Sequence, residues 1–223
     1  MTTIHNTNIT EPVYLPSDCW SEVLSFINTR KRILVEPVSK EIQTSLQNSF
    51  ADQVIDLRNT RVTDAGLARF AKMKEINLGY CRAGRLERHN YPVNSISDAG
   101  LAHLKNVEKI DLRFCKWITD TGLAHLSNVK EIDLWGCQGV SDAGLAHLSN
   151  VDNIGLSGCE GITDAGLTHL KNVKEIDLRE CYVTDAGLAY LENVKVINLT
   201  CCGDGVTDSG KQRLRARGVE VRG

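Results

Sequence analysis

The chain has 223 residues, enough for one large domain or for a small module joined to a larger one. Hydrophobic residues make up 42% and charged residues 24%, an ordinary balance for a folded chain, and its longest apolar runs are far shorter than a membrane span. A net charge of -2 creates no field that would recruit nucleic acid or an acidic membrane, so neither is expected as a partner.

The opening stretch, MTTIHNTNITEPVY, lacks the basic-then-apolar layout of a signal peptide, and residues 1–14 read as a flexible N-terminus. Eight cysteines, most of them at regular intervals, fit a reduced cytoplasmic setting better than a secreted disulfide framework; a nuclear location is also open. Leu15-Pro16 and then Ser17-Asp18 signal a helix start. Trp20, Val23, Leu24 and Ile27 follow at helical spacing with Phe26 beside them. A charged patch, Arg30 to Arg32, leads into ILVEPVSKEIQTSL. Residues 15–50 resemble an F-box, the short helical module that docks onto the Skp-type adaptor of cullin-RING ubiquitin ligases. Leu15 and Pro16, the stretch Glu22 to Ile27, and Val38-Ser39-Lys40 carry the resemblance. It implies an adaptor-binding surface made of Leu15, Pro16, Val23, Leu24, Phe26, Ile27, Val38 and Ser39. Two departures stand beside it: Pro37 interrupts what should be helix, and Ile42 lies near where the family usually has an aromatic.

From residue 51 to the C-terminus the chain repeats itself. An Asp opening a DAGL-like unit recurs at Asp64, Asp98, Asp120, Asp142, Asp164, Asp185 and Asp208, in steps of 22 residues through the middle. An Ile recurs in phase at Ile55, Ile76, Ile110, Ile132, Ile154, Ile176 and Ile197, giving about seven repeats. The step from Ile76 to Ile110 is 34 residues, so an insertion, residues 82–95, follows Cys81. Thr or Ser before each Asp predicts a helix N-cap, with the Asp as a first-turn carboxylate that complements the helix dipole. The Gly of the unit leaves room for a close neighbour. Asn106, Asn128, Asn150, Asn172 and Asn193 are expected to end the helices in the left-handed conformation that Asn tolerates. The alternation in VKEIDL then predicts a strand with one buried face. Neither element buries its apolar face alone, but a stack of them makes one continuous core.

The pattern I-x-L-x-x-C-x-x-[IV]-[TS]-D-x-G-L-x-x-L resembles the cysteine-containing subclass of leucine-rich repeats. The resemblance implies an α/β solenoid, with parallel strands on a concave face and helices on the convex one, preceded here by the small helical F-box-like segment. It also implies a buried structural ladder of Cys81, Cys115, Cys137, Cys159, Cys181 and either Cys201 or Cys202. Cys201 is the expected member, and Cys202 is left outside. Paired ligands of the C-x-x-C kind are missing and the histidines His103, His125, His147 and His169 occupy one copied helical position, so no metal, cofactor or catalytic residue is expected.

Residues flanking each strand Ile and Leu point to the concave face. They form an acidic column, including Asp111, Asp133 and Asp177, beside a second column that holds Arg58, Arg113, Trp135 and Arg179, with Phe114 next to it. Cross-strand neutralisation of Asp by Arg is expected in part. The large side chains break a monotonous repeat where a target protein would touch. The insertion is expected to project as a second contact loop. At the far end, residues 208–223 become basic, and Val219 and Val221 suggest a short closing strand within a polar C-terminal cap. The reading that unites these features is a non-enzymatic, monomeric adaptor, the target-recognition subunit of a Skp-cullin-F-box ubiquitin ligase. In the host cytosol of an intracellular bacterium or virus it would serve equally. The alternative is a repeat scaffold with no ubiquitin link, whose N-terminal helices only cap the stack.

Overall fold

The computed structural model describes residues 54–58, 62–80 and 96–223. The F-box-like residues Leu15, Pro16, Val23, Leu24, Phe26, Ile27, Val38 and Ser39, the cysteines Cys19 and Cys81, and the insertion 82–95 lie outside the described residues.

Among the described residues eight three-residue strands form one parallel sheet whose spatial order follows the chain. They are β1 Val54–Asp56, β2 Glu75–Asn77, β3 Lys109–Asp111, β4 Glu131–Asp133, β5 Asn153–Gly155, β6 Glu175–Asp177, β7 Val196–Asn198 and β8 Glu220–Arg222. Pairing is in register throughout: Ile55, Ile76, Ile110, Ile132, Ile154, Ile176, Ile197 and Val221 face one another in turn. The insertion between β2 and β3 leaves that register unchanged, because Ile76 still meets Ile110.

Between strands, each described repeat makes one helical turn on the convex side: α1 Asp64–Leu67, α2 Asp98–Leu101, α3 Asp120–Leu123, α4 Asp142–Leu145, α5 Asp164–Leu167 and α6 Asp185–Leu188. Each turn then tightens instead of extending. In the third repeat the amides of His125, Leu126 and Val129 reach back three residues, to Gly122, Leu123 and Leu126. Such tight winding keeps the convex layer thin, and this matters because strands repeat about every 4.8 Å whereas a full helix is about 10 Å wide. Among the described residues a longer helix, α7 Asp208–Ala216, occurs only in the repeat that follows β7.

The core is a row of identical layers. In one of them Ile118, Leu123, Leu126, Val129, Ile132, Leu134 and Cys137 are all essentially inaccessible. Each buried Leu or Ile contributes about 1.5–3 kcal/mol by leaving water, so the stack coheres through repetition rather than through any one residue. At the C-terminal end, Leu214 and Val219 close the core and β8 pairs with β7. Two of the basic residues are tied back: Arg213 to Asp185, and Arg217 to the carbonyls of Leu191 and Glu192.

The recurring polar letters of the repeat serve the joints between repeats. Asp120 Oδ1 accepts the Ser141 amide at 2.8 Å, and its Oδ2 accepts the Ser141 hydroxyl at 2.6 Å. The same double bond links Asp64 to Ser97, Asp98 to Thr119, Asp142 to Thr163, Asp164 to Thr184 and Asp185 to Thr207. The glycine of the next repeat makes room for it: a Cβ on Gly144 would lie 2.3 Å from Asp120 Oδ1. The Asp therefore holds the following repeat, beyond its expected place in the first turn of its own helix.

Two expectations are corrected. The asparagines at the helix ends are not left-handed; Asn106, Asn128 and Asn193 instead donate through Nδ2 to carbonyls of the preceding repeat, those of Ala71, Lys105 and Lys171. The left-handed residues at this turn in the described repeats are Tyr80, Phe114, Gly136, Gly158, Glu180 and Cys201, with φ between 59° and 70°, and from Phe114 onward each stands immediately before a ladder cysteine. Cys201 thus occupies the turn and is exposed, and Cys202, not Cys201, completes the ladder, donating from Sγ to the Leu178 carbonyl at 3.0 Å.

Candidate interaction surface

The concave face is built from the outward positions of the strands. Its central column is Asp56, Asn77, Asp111, Asp133, Gly155, Asp177 and Asn198. Each side chain there, wherever one exists, accepts the backbone amide two residues on: Asp111 from Arg113, Asp133 from Trp135, Asp177 from Arg179, and likewise Asp56, Asn77 and Asn198. This local bond supports the turn out of the strand and into the left-handed residue, so Asp or Asn serves the fold before any partner is considered, although the repeat of Gly155 makes the same turn without it.

The arginines have a structural partner as well. Arg58, Arg113 and Arg179 each close a two-point ion pair on the Asp two residues earlier, with Nη2···Oδ2 distances of 2.6, 2.6 and 2.7 Å to Asp56, Asp111 and Asp177. Neutralisation therefore runs within a strand and not mainly across strands, as the sequence suggested. The reason is reach: a bidentate guanidinium fits a carboxylate two positions away on its own strand face. Among the described residues the one cross-strand contact of this kind is looser, Arg113 Nε to Asp133 at 3.5 Å. Lys109 does bridge strands, between Glu75 at 3.3 Å and Glu131 at 3.2 Å.

Asp133 stands apart. Trp135 occupies the position where the other aspartates find their arginine. Its carboxyl is raised above the ordinary carboxylate range by burial, with Asp111 and Asp177 pushing the same way against the Trp135 amide and Arg113. The side chain nevertheless remains 42% exposed, against 16% for Asp111, so it can be reached from outside.

An aromatic row runs along one edge of the concave face, in the turns that follow the strands, and of its three rings only Trp135 lines the groove. Tyr80 stacks on Phe114 at 5.2 Å between ring centroids, and Phe114 meets Trp135 at 4.9 Å. Arg113 lies over the Tyr80 ring at 5.8 Å and Arg179 over Trp135 at 5.6 Å. Gly136 leaves space for Phe114, whose ring would meet a Cβ there at 2.7 Å. Phe114, Trp135, Arg113 and Arg179, singled out in the sequence, are thus brought together; Arg58 lies with Asp56 at the β1 end. Tyr80 belongs to the group and sequence reasoning missed it, although its place before Cys81 matches that of Phe114 before Cys115. Trp117 is 54% exposed but does not line the concave groove, a hollow of about 430 Å³ that runs from Val54 to Arg222.

The cysteines form a structural series. Cys115, Cys137, Cys159, Cys181 and Cys202 are buried, and their thiols donate to the carbonyls of Leu78, Leu112, Leu134, Leu156 and Leu178 in the preceding repeat. Burial pushes the Cys159 and Cys181 thiols up to about 12, leaving neither the thiolate nor the access that nucleophilic chemistry needs. Among the described residues no group of three or more metal-ligating side chains converges, and no helix is long and apolar enough to cross a membrane.

Strands in register on one face and single turns on the other define this chain as a leucine-rich-repeat solenoid. Comparison with known proteins gives the same architecture. A Leucine Rich repeat family model matches residues 103–127. No curated protein sequence matches the chain. Among solved structures it is similar to Rad7 in the yeast Rad7–Elc1 complex, with a TM-score of 0.55 and 15% identity over 80% of this chain and 50% of that one. It is similar also to the internalin InlF of Listeria monocytogenes, with a TM-score of 0.54 and 18% identity over 81% of this chain and 48% of that one. Against TLR13, in its complex with ssRNA13, the TM-score is 0.52 and the identity 13%, over 81% of this chain and 30% of that one. The chain therefore spans half or less of these structures, and the likeness is one of fold.

Proposed function

We propose that the protein is a non-enzymatic adaptor whose concave face holds a target protein while its N-terminal segment docks a Skp-type adaptor of a cullin-based ubiquitin ligase. The observation that carries the first half is the aromatic row Tyr80–Phe114–Trp135, flanked by Arg113 and Arg179, which runs along the edge of the concave face and reaches into its groove through Trp135 and Arg179. Aromatic and arginine side chains are the types most enriched at binding hot spots. The second half rests on the F-box resemblance of Leu15, Pro16, the Glu22–Ile27 stretch and Val38-Ser39-Lys40. Rad7, of similar fold, is found with Elc1, so a solenoid of this kind does assemble with another protein. In this reading the chain is a cytoplasmic monomer until it meets its partners, and it contributes proximity, with no chemistry of its own.

The test is a binding assay with a purified Skp-type adaptor, comparing the wild-type chain with a Leu15→Ala/Pro16→Ala double variant. Binding that the variant loses secures the ligase reading. A well-folded wild-type chain that does not bind reduces residues 15–50 to a cap and leaves a repeat scaffold with no ubiquitin link.

A further inference from the structure

We propose that the concave face takes a partner segment carrying a lysine or arginine, its cationic head seated over Gly155 between Asp133 and Asp177 and its stem against Trp135. This inference rests on the interaction reading above and adds the chemistry of the target.

Gly155 is the one position in the central column without a side chain, and in register its neighbours are Asp133 and Asp177. Strands about 4.8 Å apart put those two residues on strands about 10 Å from each other, and the Asp133 carboxylate leans over the glycine, its Oδ1 2.7 Å from where a Cβ on Gly155 would sit, so an incoming cation meets that oxygen above the glycine. The next outward residue on the same strand, Ser157, is small and buried. Trp135 and Arg179, from the strands on either side, converge above it, since the guanidinium lies 5.6 Å from the indole. Phe114 and Arg179 already pack on the indole, and the part of Trp135 that stays exposed gives the methylenes of a long basic side chain an aromatic surface to lie against.

Charge complementarity selects the occupant. Among the described residues six carboxylates line the groove against three cations. Asp111 and Asp177 are each held by their own arginine, and Glu75 and Glu131 share Lys109. Asp133 has no arginine of its own; Arg113, its nearest cation, already gives Nε and Nη2 to Asp111. Glu175, one position below this site, has no ion pair among the described residues. The surplus of negative charge is thus concentrated around β5, where Asn153 and Gly155 supply none. Burial, and after it the neighbouring charges of Asp111 and Asp177, raise the Asp133 carboxyl in pKa, and a half-exposed carboxylate without an arginine of its own gains most from an incoming cation. A nucleic-acid backbone meets repulsion on this surface, and an acidic segment does so too.

The test uses the full chain immobilised and panned against a library of random peptides, with Asp133→Asn and Asn153→Lys variants in parallel. Asp133→Asn keeps the turn, because Asn77 and Asn198 accept the same amide bond in their own repeats. Asn153→Lys places a competing cation beside this site. The expected result is enrichment of peptides with a Lys or Arg next to an apolar residue. The leading peptide, synthesised and labelled, should bind both variants about tenfold more weakly than wild type and should lose affinity as salt rises. Enriched peptides without a cation, or peptides that bind Asp133→Asn as well as wild type, overturn the basic-partner assignment and leave the interaction reading standing. A library from which nothing is enriched overturns both.

Discussion

Gly144→Ala separates two accounts of the repeat by the sign of its effect. By helix propensity alone the change should stabilise the protein, since Ala is better than Gly inside a helix by about 1 kcal/mol. Geometry predicts the opposite. A Cβ at this position would sit 2.3 Å from Asp120 Oδ1 and 3.0 Å from Leu123 Cδ1. Relief requires the carboxylate to retreat by about 1 Å, because non-bonded carbon and oxygen atoms rest well beyond 3 Å. That retreat takes it out of range of the Ser141 amide and hydroxyl, now at 2.8 and 2.6 Å. Hydrogen bonds to a charged acceptor contribute about 1.5–3 kcal/mol each, and the lower end applies to this half-exposed pair. After the propensity gain, a net loss of about 1–2 kcal/mol remains. Urea unfolding followed by circular dichroism should show the midpoint falling with the m-value unchanged. Asp120→Ala should cost a similar amount, and the double variant no more than Asp120→Ala alone, since both remove one interaction. A rise in the midpoint for Gly144→Ala would refute the inter-repeat staple.

Two further predictions follow from the thiols and from Asp133. Alkylation of the native protein at mildly alkaline pH, mapped by mass spectrometry, should modify Cys201 and spare Cys115, Cys137, Cys159, Cys181 and Cys202 until the chain unfolds; rapid modification of Cys202 would reverse the assignment of the adjacent pair. Because the carboxyl of Asp133 is raised in the fold, the unfolded chain releases that proton first as pH rises, so this residue's contribution favours the fold at low pH and is lost as pH climbs through the carboxylate range. Asp133→Asn should therefore stabilise the protein at neutral pH and lose that advantage in acid, a difference that urea midpoints at the two pH values will show.

Much of the architecture was legible in the sequence. The 22-residue period, the alternating Ile and Leu, and the Thr/Ser-Asp signal define strand, turn and core, because these depend on side-chain spacing along one chain. The closing strand at Val219 and Val221 followed from the same alternation, and β8 occupies it. The aromatic and arginine residues of the concave face were also visible as breaks in the repeat. Their pairing was not: an expected cross-strand neutralisation became a within-strand one, and the difference left Asp133 exposed beside Trp135.

What only the tertiary structure decided is which polar atom meets which. Asp120 and Ser141 are 21 residues apart in the chain and hydrogen-bonded in space, a relation set by the pitch of the stack and invisible to any local window. The choice between Cys201 and Cys202 was likewise made in three dimensions. One residue in each repeat must turn left-handed before the thiol can reach back to the preceding strand, and the first cysteine of the pair fills that place so that the second can fill the ladder. A periodic sequence determines the unit and its apolar face. The joints between units depend on where successive copies come to rest against each other, and that is a property of the stacked chain alone.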